Sequence, residues 1–393
     1  MESAITGGYK LFGLAAPHLP LGSLCKFNKG KSITRKNLGE GEIPVIAGGQ
    51  KPAYYGDKYN RTGETITISS SGAYAGFVSY WNEPVFVSDA FSVDPDERLN
   101  IKFLYHFLLS KQELIYRKKK GAGIPHVYSS DLAKIIIPLP PLEVQQRVAD
   151  TLDAFTILKA ELEAELEARI KQYEYYRDFL LSFPEQTDRQ TILTEWKKLS
   201  EISTDFYRGA GIRREDLTSA GVPCVRYGDI YTKFGVSFDT PDQYTDPDTI
   251  KSKKYFEHGD LLFAITGEKV EEIGKSSVYR GNKKCLAGGD IAVMKHTQNP
   301  KYVAYALSTT HAQAQKSKGK IKSKVVHTSV PALMEIRIPI PSMAIQNEVV
   351  AILDRFDAMV HDIKTGLPAE IAARQKQYEY YRDQLLSFKE AES

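Results

Sequence analysis

The sequence predicts a mixed α/β (α+β) chain: two globular domains separated by two long helices that pair as an antiparallel coiled coil, with a pseudo-twofold internal repeat. Three observations predict it. One block of sequence occurs twice, nearly unchanged. Each copy of that block carries an apolar stripe at helical spacing. The divergent stretches between the copies hold short β-type apolar runs bounded by turn residues. The expected boundaries are 1–138 for the first globule, 139–184 for the first helix, 185–339 for the second globule and 340–393 for the second helix.

The repeat comes first, because a fixed internal period decides the architecture. Ile137-Pro138-Leu139-Pro140-Pro141 returns as Ile338-Pro339-Ile340-Pro341-Ser342. Gln145, Val148, Leu152, Asp153 and Phe155 fall opposite Gln346, Val349, Leu353, Asp354 and Phe356, at a constant offset of 201 residues. The eight residues Lys171 to Asp178 recur identically as Lys376 to Asp383, and Leu180-Leu181-Ser182-Phe183 as Leu385-Leu386-Ser387-Phe388. Here the offset is 205, so the second copy carries four extra residues. The globules match more weakly: Leu21, Gly30, Pro44 and Gly49 align with Leu199, Gly209, Pro223 and Gly228, and His126 and Leu132 with His327 and Leu333. A chain that keeps its connectors while its domains diverge uses one frame to present two different surfaces.

Between Pro141 and Phe183 the apolar residues Val144, Val148, Leu152, Phe155, Leu158, Leu162, Leu166, Ile170 and Tyr173 step by three or four, one face of a helix. Pro141 suits the start, and Phe183-Pro184 the end, because proline disfavours a helical residue before it. About 43 residues at 1.5 Å of rise make a rod of roughly 65 Å, which outruns a single small domain and needs a partner. The second copy supplies one through Ile345, Val349, Ile352, Phe356, Val360 and Ile363, with a break expected at Gly366 and Pro368. Gln145, Val148, Leu152, Phe155, Tyr173 and Tyr176, with Gln346, Val349, Leu353, Phe356, Tyr378 and Tyr381, are the candidate interface residues of the helices. Ala160-Glu161-Leu162-Glu163 is followed at once by Ala164-Glu165-Leu166-Glu167, a tandem unit of about one helical turn, roughly 6 Å.

In the first globule, 43–46, 65–68, 77–78 and 85–87 read as strands and 99–117 as a helix. In the second, 224–225, 261–265 and 291–293 read as strands and 302–315 as the matching helix. Several function classes fall away. Gly274-Lys275-Ser276 resembles a phosphate loop, but six residues separate Gly267 from Gly274 where four are needed. Gly30-Lys31-Ser32 has Cys25 in place of the first glycine. No HExxH, GxSxG or paired His/Cys motif occurs, nor the FxGxG loop or (N/D)PP(Y/F) motif of an adenine methyltransferase. Cys25, Cys224 and Cys285 are too dispersed for a zinc ribbon or disulfide framework, which fits a reduced, cytoplasmic setting. No run of about 18 apolar residues exists, so no membrane span is expected. Net charge is only +3, but basic residues cluster at Arg117–Lys120 and in Lys316, Lys318, Lys320, Lys322 and Lys324, each shortly before the proline motif.

The proline motif, the glutamine after it, Lys-Gln-Tyr-Glu-Tyr-Tyr-Arg-Asp and Leu-Leu-Ser-Phe, all present twice, resemble the HsdS specificity subunits of type I restriction–modification systems, as does Leu367-Pro368-Ala369-Glu370-Ile371. The resemblance covers about residues 18–388. It implies a non-catalytic subunit: each globule a target recognition domain for one half of a split sequence in double-stranded DNA, and the helices setting the gap and docking two HsdM modification (M) subunits. It implies HsdR restriction (R) subunits as further partners, S-adenosylmethionine on M, ATP and Mg on R, and no cofactor on this chain. On that basis Lys118, Lys119 and Lys120, with Lys316, Lys318, Lys320, Lys322 and Lys324, are assigned to phosphates. Base contacts are assigned to the loop residues Tyr54, Tyr55, Ser70, Ser71 and Tyr74 in the first domain and Arg226, Tyr227, Thr266 and Lys269 in the second. The stripe residues named above become candidates for M-subunit contact as well as helix pairing. Two readings stay beside this one: a specificity subunit whose partner fuses nuclease and methyltransferase, and a coiled-coil scaffold with no DNA role.

Overall fold

The computed structural model describes residues 14–121, 123–183, 194–317, 326–362 and 365–391. The chain divides into two compact units, one formed by Met1–Leu162 with Ile371–Ser393 and the other by Glu163–Glu370. Each unit therefore contains one globule and parts of both helical copies.

In the first unit, the strands Cys25–Lys29, Ala90–Pro95, Glu64–Ser69 and Val78–Asn82 form an antiparallel sheet in that order. Tyr54–Gly56, Ile43–Ile46 and Phe86–Val87 form a smaller one. Ile66 and Ile68 are buried with Phe103, Leu104, Phe107 and Leu108 of the helix Ile101–Ser110. Asn100 starts that helix by accepting from the backbone N–H groups of Lys102 and Phe103, two donors the first turn leaves unpaired. The single helix expected over 99–117 is two, Ile101–Ser110 and Gln112–Tyr116. Gln112 is drawn to the sheet, accepting from Val78 N and donating to Gly76 O.

The second unit has two five-stranded sheets. One runs Ser203–Arg208, Ile291–His296, Leu261–Ala264, Ser276–Tyr279 and Ser237–Phe238; the other runs Leu217–Thr218, Gln243–Thr245, Val222–Val225, Cys285–Ala287 and Tyr255–Phe256. Its helix Pro300–Ser308 is capped by Asn299, and Thr310–Ser317 follows after a break at Thr309, again dividing one expected helix. The weak alignment of the globules is physical at Gly30 and Gly209. A Cβ at Gly30 would sit 2.3 Å from Ser88 O, and one at Gly209 would sit 2.2 Å from Gly288 O. Their amides donate to Ala90 O and Ile291 O, both at 2.8 Å. Only glycine admits either approach.

The first long helix is continuous over Leu142–Leu180. The second copy is Met343–His361 and Leu367–Leu385, broken around Gly366, whose amide donates to Asp362 O. Ile363 lies outside the described residues. In the first unit Val148, Ala149 and Leu152 share a core with Leu385, Leu386 and Phe388, and Phe155 stacks on Tyr381 at 5.4 Å. In the second unit Tyr173 joins Val349, Leu353 and Val360, and Tyr176 stacks on Phe356, also at 5.4 Å. Tyr173 meets His361 edge-on while Tyr176 meets Phe356, so sequence rises along one helix as it falls along the other. The helices of this unit are antiparallel. In both units a phenylalanine of one copy stacks on a tyrosine of the other.

Candidate nucleic-acid interface

Each globule is fastened to helix by the same joint. Gln145 is fully buried; its Oε1 accepts from Asn100 N at 2.8 Å, and its Nε2 donates to Pro140 O and Arg98 O. Gln346 repeats this: Oε1 accepts from Asn299 N at 3.0 Å, and Nε2 donates to Pro341 O and Gln298 Oε1. Lys102 pairs with Asp153 at 2.6 Å and Lys301 with Asp354 at 2.8 Å. Where His106 meets Asp153, Tyr305 donates to Asp354. Burial raises the Asp153 pKa, but the hydrogen bonds from His106 and Lys102 outweigh it and hold the carboxyl below its usual range. The joint ties each domain to its helix through a buried glutamine and a hydrogen-bonded carboxylate. Replacing Gln145 with Ala is expected to cost at least about 2 kcal/mol, since it leaves a buried amide and two carbonyls without partners; urea unfolding of the first unit's core measures it, and an unchanged midpoint contradicts the role.

The interface candidates thus divide. Gln145, Val148, Leu152, Phe155, Tyr173, Gln346, Val349 and Leu353 are buried within their own units. Phe356, Tyr378 and Tyr381 pack partly buried, and Tyr176 keeps 37% of its surface exposed. The aromatic side chains left most open on the helices are Tyr175, Phe179 and Tyr380, which the stripe periodicity passes over.

In the first domain, Ser71, Lys120 and His126 come together through backbone bridges of His126 to both of the others. The Ser70 and Ser71 hydroxyls donate to Asp89. Lys119 reaches Ala73 O at 2.8 Å and lies 4.4 Å from the Tyr116 ring; Lys120 pairs with Asp131 at 2.6 Å. Lys118 is half-buried, and Tyr55 and Tyr74 are exposed. Tyr54 is committed inward, its hydroxyl donating to Ile33 O.

In the second domain, Thr266 donates to Asp290 at 3.1 Å and lies 3.1 Å from His327 Nδ1. Ser71 and Thr266 occupy the same place, since both pair with the equivalent histidines and both donate to equivalent aspartates, Asp89 and Asp290. A nucleophilic triad puts its carboxylate behind the histidine. Here it holds the hydroxyl itself, so the cluster positions polar groups rather than activating an attack. The 201-residue offset that aligns the histidines also aligns these aspartates. That signal was in the sequence. Arg226 and Tyr227 line a cleft of about 660 Å³ with Arg208, Arg213, Lys233 and Asp290. Lys269 is exposed and paired with Glu272.

Lys316 departs from its expected role. It is only 4% exposed, and its ammonium donates to Leu307 O at 2.7 Å, inside the domain. Burial, with Arg177 nearby, pushes its pKa down to about 7. Lys318, Lys320, Lys322 and Lys324 lie outside the described residues. Cys25, Cys224 and Cys285 are buried free thiols, and burial pushes the first two up to about 12. Among the described residues no helix is long and apolar enough to cross a membrane.

Comparison with known proteins bears directly on this arrangement. The family described as type I restriction modification DNA specificity domain matches the chain twice, at residues 19–172 and 196–373. The chain is 29% identical over 308 residues to the specificity subunit of a type I restriction enzyme from Escherichia coli, covering 76% of this chain and 73% of that one. It is 27% identical over 368 residues to a putative type I restriction enzyme specificity subunit from Haemophilus influenzae, covering 88% and 89%. In fold it is similar to the S subunit of a type I restriction–modification system from M. genitalium, with a TM-score of 0.59 at 20% identity, covering 95% of this chain and 96% of that one.

Proposed function

Because this chain belongs to the type I restriction modification DNA specificity family, whose members are the non-catalytic DNA-recognition component of their systems, we propose that it reads a two-part target in double-stranded DNA, one half with each globule. The observation that carries this reading is the duplicated joint: two globules with different surfaces are fixed to helix by the same residues, Gln145 with Asp153 and Gln346 with Asp354. Matching mounts with divergent faces suit two unlike half-sites on one regular duplex.

In this reading the helices set the gap between half-sites and dock two M subunits, with Tyr175, Phe179 and Tyr380 as apolar contacts. The M subunits carry S-adenosylmethionine and methylate adenine. R subunits carry ATP and Mg, and the complex works in the cytoplasm. Lys118, Lys119 and Lys120 hold phosphates and fix register, while loop residues read bases.

Salt dependence tests the phosphate assignment. Replacing Lys118, Lys119 and Lys120 together with alanine is expected to weaken binding to every duplex and to flatten the slope of log K against log salt by about 0.9 for each phosphate no longer neutralised. An unchanged slope removes these lysines from the interface. The reading as a whole is tested by selection from a random duplex library with the full-length chain. Recovery of a two-part motif supports it, and retention of duplexes without sequence preference contradicts it.

A further inference from the structure

We propose that Arg226 reads a guanine in the half-site bound by the second domain, and that the matching position of the first domain, Ala47, makes no such contact. The inference rests on the two-part reading above and adds which residue distinguishes the two halves.

The register of the two domains sets the comparison. Val225 O accepts from Gly288 N, and Val225 pairs in parallel with Ala287. Ile46 O accepts from Ser88 N, and Ile46 pairs in parallel with Val87. The next residue is Arg226 in one domain and Ala47 in the other. Around this point the frames agree: the same tight glycine, at Gly30 and Gly209, and the same hydroxyl, carboxylate and histidine. A side chain that differs at one fixed place is suited to sequence.

The local chemistry points to a base rather than a phosphate. Arg226 Nε donates to Gln243 Oε1 at 3.0 Å, and Gln243 Nε2 donates to Asp229 Oδ1 at 3.0 Å. Asp229 is buried, and its other oxygen accepts from Arg226 N. This chain of bonds fixes the guanidinium plane through a neutral amide. Three neighbouring cations are ion-paired, Arg208 with Asp290, Arg213 with Glu215 and Lys233 with Asp242, and Arg214 also lines the cleft. Among the described residues, Nη1 and Nη2 of Arg226 have no partner. Two parallel N–H donors in a fixed plane match O6 and N7 of guanine in the major groove. In the first domain Tyr54 stands at the register position of Gln243, opposite Val45 as Gln243 is opposite Cys224, and its hydroxyl is spent on Ile33 O. Neither the reader nor its brace is present there.

The test is duplex-library selection with the full-length wild-type chain, R226A and R226Q, each with its melting temperature measured. The wild-type motif is expected to hold a G·C pair in one half. R226A is expected to lose discrimination at that pair alone, by on the order of 10- to 100-fold. R226Q is expected to move the preference there to A·T, since glutamine matches adenine; it reports even where R226A folds poorly. Uniform weakening across all sequences would make Arg226 a phosphate contact and overturn the proposal, as would an unchanged motif. A wild-type chain that selects no two-part motif overturns the underlying reading, and this assignment with it.

Discussion

A chain lacking Ala164-Glu165-Leu166-Glu167 is expected to stop recognising its original target and to recognise one whose two half-sites are unchanged but whose gap is shorter by about two base pairs. The tandem lies inside the uninterrupted helix Leu142–Leu180 and spans the boundary between the two units at Leu162 and Glu163. Four residues are about 6 Å of helical rise, close to two base-pair steps at about 3.4 Å. They also advance the helix only slightly beyond one full turn. The joints at Gln145 and Gln346, and the ring pairs of Phe155 with Tyr381 and Tyr176 with Phe356, all lie outside the deleted segment. Both recognition surfaces should therefore survive. Loss of methylation at the original spacing should be near complete, because a protein fixed to one half-site would meet the other out of register. Sequencing modified bases in cells carrying the deletion reads both halves and the gap at once. Altered half-sites, or an unaltered gap, contradict the spacer role.

Replacing Lys316 with Met is expected to stabilise the second unit by on the order of 3 kcal/mol at pH 7 and to leave DNA affinity unchanged. The Lys316 ammonium sits at the C-terminal end of the helix Pro300–Ser308, where a cation suits the last-turn carbonyls. Burial nonetheless lowers its pKa to about 7 from 10.5. Between those values the unfolded chain holds a proton that the folded chain does not, so this group makes stability rise with pH across that window. Below about pH 7 the cost of the buried charge is fully present. Methionine removes it, so the gain is largest at pH 7 and below and fades towards pH 10.5, offset throughout by loss of the bond to Leu307 O. Urea unfolding at several pH values checks this. A stability difference that does not vary with pH contradicts it, and a fall in DNA affinity would return Lys316 to the interface.

Lys316 also shows where sequence reasoning stops. Five lysines on alternate residues read as an exposed basic strip, and nothing in that spacing tells that Lys316 turns inward. The repeat, the continuous first helix and the break at Gly366 were legible because each rests on local rules: identity at a fixed offset, apolar steps of three and four, and glycine with proline as helix breakers. The strand at 43–46 and the strands covering 65–68 and 291–293 followed from their β-branched runs. The stripe predicted that the helices pair, but not that Phe155 meets Tyr381 while Tyr176 meets Phe356, because periodicity marks a buried face without naming its partner. The breaks at Lys111 and Thr309 also escaped, since the pull of Gln112 towards Val78 and Gly76 is a tertiary contact. Asp89 and Asp290 were recoverable from the same offset as His126 and His327, but their role needed the hydroxyls that only the fold brings to them.

The central claim, that this chain chooses the sequence its system acts on, is tested most directly by sequencing modified bases in host DNA with the gene intact and deleted. The account predicts a two-part adenine-methylated motif that disappears on deletion and returns on complementation. An adenine methylation pattern identical in the two strains would contradict it.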